Sequence, residues 1–161
     1  MKQYIPSDQD LEYLKQKLRF QFSLSDEELN QFLPAPLVFE ISKKTDRLRY
    51  IYFNSQLWGM IRPNDGFFLL SSLSARQLAQ ISSPPNYRVI VQSEVGEFIR
   101  DGKNVFAKHV VDCDSHLVPY SEVIVVDEQD QPLAFGKLLL NKQEALAFTE
   151  GVAVKVRKGI R

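Results

Sequence analysis

The residues of this sequence that could do chemistry are concentrated in its second half. Asp112, Asp114, Glu122, Asp127 and Glu128 follow one another closely enough to suggest a hydrolytic carboxylate pair or a cation site. Such a site needs further ligands or bases, and the chain offers only two histidines, His109 and His116. Solvated acidic loops are the simpler reading. Cys113 and His116 could form a thiolate and its base, but a dyad also needs an orienting third group and a lowered thiol pKa. Both residues sit naturally in a loop before Pro119, where no such role is required. His109 alternates with Phe106, Lys108 and Val110 and reads as a half-buried packing residue. Gly136 and Gly151 are isolated, and the Gly-Lys pairs lack the upstream glycine of a phosphate loop. The nucleophile elbow is missing as well. The expectation is a protein that is not an enzyme and holds no metal or cofactor.

A binding surface is the remaining possibility. Gly151 to Arg161 alternates valines with Lys155 and Arg157, so one face of a closing strand would be core and the other a basic rail. Gly102 and Lys103 end a helix, and Phe106 and Lys108 follow on the next strand. If these elements are neighbours, Gly102, Lys103, Phe106, Lys108, Lys155 and Arg157 line one groove. There the glycine would let a backbone come close, the cations would bind phosphates, and Phe106 would stack on a base. A scatter of ordinary surface lysines fits the spacing equally well. In the first half, Tyr50, Tyr52, Trp58, Phe67 and Phe68 suggest a stacking platform, but aromatics on hairpin strands belong more often to a core or a domain interface.

The elements that must position these residues can be read from periodicity and turn chemistry. Ser7 to Asp10 caps a helix with Leu11, Leu14 and Leu18 on one stripe, and Ser25 to Glu28 is a capping box for a second helix with Leu29, Phe32 and Leu33. Strands follow at 37–41, 47–53, 56–61 and 67–70, with turns at Asn54-Ser55 and Pro63 to Gly66. Ser72 opens a third helix. The first half is therefore an antiparallel sheet covered by helices. Ser82-Ser83-Pro84-Pro85-Asn86 divides it from the second half, giving domains 1–85 and 86–161. In that second half, strands are expected at 87–92, 104–111, 122–127, 132–140 and at the C-terminus. Helices fall at 93–101 and after the Asn141 cap. The fold class is α+β, its second domain a small closed or half-open barrel.

Composition narrows the partners. The 161 residues carry 20 basic and 20 acidic side chains, so any affinity for a polyanion must come from a local patch. The halves divide evenly, with 10 basic against 9 acidic residues before Asn86 and 10 against 11 after it. The last seven residues concentrate Lys155, Arg157, Lys158 and Arg161, with no acid among them. The single cysteine excludes an internal disulfide. No signal-like or membrane-length apolar run is present, so a cytoplasmic location is expected, with neither membrane nor DNA as partner.

The run VFAKHVVDCD, LVPYSEVIVVDEQDQPLAFGKLLLNKQEALAFTEGVAVKVRKG resembles a PUA domain, with an Ala-Lys strand, Pro-x-x-Glu-Val-Ile-Val-Val, Leu-Ala-x-Gly and Gly-x-Ala-Val-Lys-Val-Arg in order. Before it, LRFQFSLSDEELNQFLP, the Thr-x-Arg-Leu-Arg hairpin and the Arg-Pro-x-Asp-Gly turn are similar to the small domain preceding the PUA domain in archaeal tRNA-guanine transglycosylase, which begins archaeosine formation. The resemblance covers nearly the whole chain, without that family's catalytic barrel. It implies a small pre-PUA sheet domain followed by a PUA pseudo-barrel. It also implies binding of structured RNA, tRNA foremost, at Gly102, Lys103, Phe106, Lys108, Lys155 and Arg157, in support of RNA modification and with a separate catalytic subunit as possible partner. The alternative is a protein-interaction module of an RNA-processing or ribosome-assembly complex, with the aromatic first half as partner surface.

Overall fold

A computed structural model describes residues 1–161, which form two compact units, Met1–Gln77 and Leu78–Arg161. The first runs β1 (Lys2–Tyr4), α1 (Asp8–Phe22), α2 (Asp26–Phe32), β2 (Leu37–Ile41), β3 (Leu48–Phe53), β4 (Gln56–Ile61), β5 (Phe68–Leu70) and into α3 (Ser72–Ile81). Both expected caps form, and both are capping boxes, where one was expected: Ser7 Oγ accepts from the Asp10 amide and Asp10 accepts from that of Ser7, and Ser25 and Glu28 repeat the exchange. The five strands are an antiparallel meander in chain order. Only four were expected, because β1 is three residues of Lys-Gln-Tyr with no apolar alternation. It holds through backbone pairing to β2 and through the Tyr4 ring, which meets Phe39 edge-on at 5.9 Å.

Leu14, Leu18 and Phe22 of α1 and Leu29 and Phe32 of α2 are buried, as are Phe39, Ile51, Trp58 and Phe68 of the sheet. Trp58 and Phe68 are thus core, not platform, with ring centroids 5.1 Å apart. Gly59 is required beside them, since a Cβ there would run into the Phe68 ring. Asn54 and Ser55 both have positive φ, 49° and 64°, the backbone of a tight hairpin turn whose twist matches its strands.

The second unit contains β6 (Arg88–Val91), α4 (Gly96–Arg100), β7 (Val105–Phe106), β8 (Val110–Cys113), β9 (Glu122–Val126), β10 (Pro132–Leu138), α5 (Lys142–Ala147) and β11 (Val152–Gly159). Its six-stranded sheet has the order β7-β11-β10-β9-β6-β8, with β6 and β9 parallel and the other pairs antiparallel. The single strand expected at 104–111 is in fact two. A 3-10 turn at Ala107–His109 breaks it, and β7 and β8 go to opposite edges of the sheet. Ala107 is buried at that corner, and its amide donates to the Gly151 carbonyl at 2.9 Å, extending the β7–β11 pairing by one residue. The two sheet edges are therefore linked through one three-residue turn, which gives the near-barrel.

Val89, Val91, Val105, Val123, Val125, Leu133, Leu138 and Val154 fill the interior. The alternation expected of the closing strand breaks at Ala153, which is buried beside Val154, because the ladder between β11 and β7 is bulged there. Arg88 is fully buried and its whole guanidinium is satisfied: Asp130 takes Nε at 2.7 Å and Nη2 at 3.1 Å, and Ala79, Ser82 and Asn86 supply further acceptors. Arg88 holds the last carbonyls of α3, so that helix end packs within the second compact unit.

Candidate nucleic-acid interface

Gly102 ends α4 with φ +93°, a conformation that costs a residue with a Cβ. Its amide donates to the Ile99 carbonyl at 2.9 Å and that of Lys103 to Phe98 at 3.1 Å, a Schellman motif that fixes where Lys103 leaves the helix. Asn104 then turns its Oδ1 onto the Val156 amide of β11, at 3.0 Å. Val105 is buried and Phe106, opposite Val152, is 46% exposed. Lys108 is exposed on the 3-10 turn beyond it. Gly102, Lys103, Phe106, Lys108 and Lys155 therefore follow one edge, where β7 lies against β11 with no strand outside it. Asn104, which pins this edge, was not anticipated. A short polar side chain just after a helix-ending glycine was the available signal.

Charge along that edge is unspent. Lys103, Lys108, Lys155 and the adjacent Lys158 form no ion pair, whereas Arg161 pairs with Asp101 and Glu97, Lys142 with Asp112, and Arg100 donates to the Ile160 carbonyl. Arg157 behaves differently from the basic rail expected of it. Its guanidinium crosses β10 to grip Glu122 on β9 in two bonds of 2.8 and 2.6 Å, and lies 5.1 Å over the Phe135 ring. Beside it β10 carries Gly136, which the close approach of the β11 backbone requires, since any Cβ there would strike it. Lys137 was also missed. It stands directly opposite Lys155 in the ladder and its ammonium lies 5.3 Å over Tyr120. Two lysines face to face repel each other, which favours an anion between them.

The other chemistry-bearing residues serve the loops. Asp114 caps its own turn, accepting from the Tyr87 and His116 amides at 2.8 and 2.9 Å, and Asp127 does so for Gln129 and Gln131. Glu128 accepts from the Ser93 amide. Glu122 departs from the solvated-loop reading, being buried in its pair with Arg157. Cys113 is fully buried, and burial followed by the nearby Asp114 and Asp112 charges pushes its thiol up to about 12. It is no thiolate nucleophile at neutral pH. His116 contacts Asp114 rather than the thiol, and His109 Nδ1 lies 3.3 Å from Gln92. No helix is long and apolar enough to cross a membrane.

Comparison with known proteins agrees with this architecture. Residues 87–160 match the PUA domain, and residues 13–85 match the patch-forming domain C2 of tRNA-guanine transglycosylase. The chain is a PUA-domain protein with a C2 domain before it. Its similar relatives include the tRNA-guanine(15) transglycosylase of Methanococcus aeolicus, 40% identical over 148 residues that take in 89% of this chain and 22% of the relative. That of Thermococcus kodakarensis is 42% identical over 121 residues, 75% of this chain and 21% of the relative. The chain thus spans about a fifth of these relatives' length. Among solved structures, a hypothetical protein from Pyrococcus horikoshii superposes with a TM-score of 0.74 at 21% identity, over 98% of this chain and 94% of that one. A PUA domain protein from Aeropyrum pernix gives 0.70 at 12% identity, over 99% and 86%. Both show the same fold.

Proposed function

We propose that this protein binds structured RNA, tRNA foremost, along the β7–β11 edge, and that it does so in support of tRNA modification rather than by changing the RNA itself. The observation that carries the reading is the set of unpaired lysines, Lys103, Lys108 and Lys155, gathered with the exposed Phe106 on one open sheet edge. Lysines supply the salt-dependent phosphate term, and an aromatic ring on the same edge can stack on an unpaired base. Gly102 adds a place where a ribose-phosphate backbone can approach without meeting a side chain. The match to a PUA domain and the names of the relatives support tRNA as the ligand. The partner in this reading is a transglycosylase-type catalytic domain, joined or separate, to which the edge delivers RNA.

The test is binding of the purified chain to whole tRNA and to tRNA trimmed at its 3′ end, at several salt concentrations. Steep loss of affinity with salt is expected, with a further loss on changing Lys103, Lys108 and Lys155 together to alanine. Equal affinity of that triple variant and the unmodified protein would overturn the proposal. Adding a transglycosylase catalytic domain tests the second part, which requires faster modification in the presence of the chain.

A further inference from the structure

We propose that a second anion site lies in the N-terminal unit, in the cleft between its two matching hairpin loops, and that it takes a phosphate ester. The loops that follow β2 and β4 are built alike. Asp46 donates its amide to Ser42 at 2.8 Å and Gly66 to Arg62 at 2.9 Å, and each of these two donors has positive φ, 54° and 75°. Side by side at one end of the sheet, the loops and α1 enclose a cleft of about 690 Å3, the size of sites that hold mononucleotide-scale ligands. Its walls include Tyr4, Tyr13, Lys44, Arg47, Arg49 and Arg62.

Two of the cleft's cations are already committed: Arg62 is bidentate to Asp65, and Lys17 Nζ donates to the Gly66 carbonyl at 2.6 Å. Lys44, Arg47 and Arg49 have no ion pair. Arg49 is the informative one, because its Nε is shielded from solvent and has no hydrogen-bond acceptor. The guanidinium is thus under-satisfied at its root, and its outer nitrogens, which are not buried, are the donors a ligand oxygen in the cleft can reach. Its guanidinium is held over the Tyr50 ring, 5.6 Å from the centroid, so it is oriented before anything binds. Of the cleft's acids, Asp65 is taken by Arg62 and Asp10 accepts from the Ser7 amide, leaving Asp46 as the acid opposing three free cations. Two guanidinium groups and an ammonium suit a phosphoryl group, whose several oxygens accept from forked donors. Burial, and then the Asp10 charge, push the Tyr4 hydroxyl above its ordinary value, so it remains a donor at the same wall.

The site is independent of the RNA edge and is tested apart from it. The full isotope-labelled chain is titrated with inorganic phosphate, with AMP and with a short RNA, following backbone amides by NMR. Saturable shifts at 42–47 and 62–66 are expected. Arg49→Met should weaken AMP binding roughly tenfold or more without lowering the thermal midpoint, since it removes the partnerless Nε together with the charge. Asp46→Asn, which tolerates positive φ, should tighten it. Response to AMP assigns the ester to a free nucleotide, and response to RNA alone assigns it to an RNA backbone. Lys155→Ala should leave these shifts in place, which separates a failure of this site from a failure of the edge. No saturable shift with any of the three up to ~10 mM, or shifts indifferent to both Arg49→Met and Asp46→Asn, would overturn the proposal.

Discussion

The β7–β11 edge and the face formed by β9, β10 and β11 share a strand, yet they use their cations in opposite ways. Lys155 and Arg157 are two residues apart on β11 and both are exposed in a simple alternation. On the edge, Lys155 meets no acid. On the face, Arg157 reaches over the Phe135 ring of β10 to a carboxylate that is itself buried, and becomes part of the fold. Whether a cation on a strand is available to a ligand is thus decided two strands away, by what the neighbouring ladder presents. Arg88 is the limiting case, a cation used entirely for structure.

The comparison can be broken most forcefully at that limit. Arg88→Ala strips acceptors at Ala79, Ser82 and Asn86 of their donor and should cost about 3 kcal/mol or more in denaturant unfolding. Arg157→Met leaves Glu122 buried and unpaired, and should cost about 2–3 kcal/mol, most of it recovered when Glu122→Gln is added. Phe106→Ala should leave stability nearly unchanged while lowering RNA affinity by about 1–3 kcal/mol, as loss of a stacking ring does. The last effect belongs to the thiol and is confined to alkaline pH. Because burial raises the folded Cys113 from its ordinary 9.0 to about 12, the unfolded chain ionises first. Its stabilising contribution is complete below about pH 9 and declines as the pH rises toward 12, so the unfolding free energy of the native protein should fall across that window more than that of Cys113→Ala.

Much of this was legible in the residues. Helix caps at Ser7 and Ser25, the Asn54-Ser55 turn and the Gly102 helix end are local signals, and each formed where the spacing placed it. What was not legible is non-local. β1 is too short for periodicity and exists only because β2 offers it an edge. The break at Ala107–His109 arises because β7 and β8 are claimed by different partners, which no property of 104–111 announces. The pairing of Arg157 with Glu122 joins residues 35 apart in sequence. Of the expected groove, Phe106 and Lys155 lie on the paired strands β7 and β11, Gly102, Lys103 and Lys108 on the turns beside them, and Arg157 turns to its carboxylate, so the sheet decides which cations are paired.

The central claim is that Lys155 is available to a polyanion and Arg157 is not. The most direct measurement is the salt dependence of tRNA affinity for Lys155→Ala beside the charge-matched pair Glu122→Gln with Arg157→Met, each checked to be folded. The Lys155 variant should reduce the slope of log affinity against log salt by about 1, and the paired variant should leave it unchanged. An unchanged slope for Lys155→Ala with a reduced slope for the pair would contradict the account.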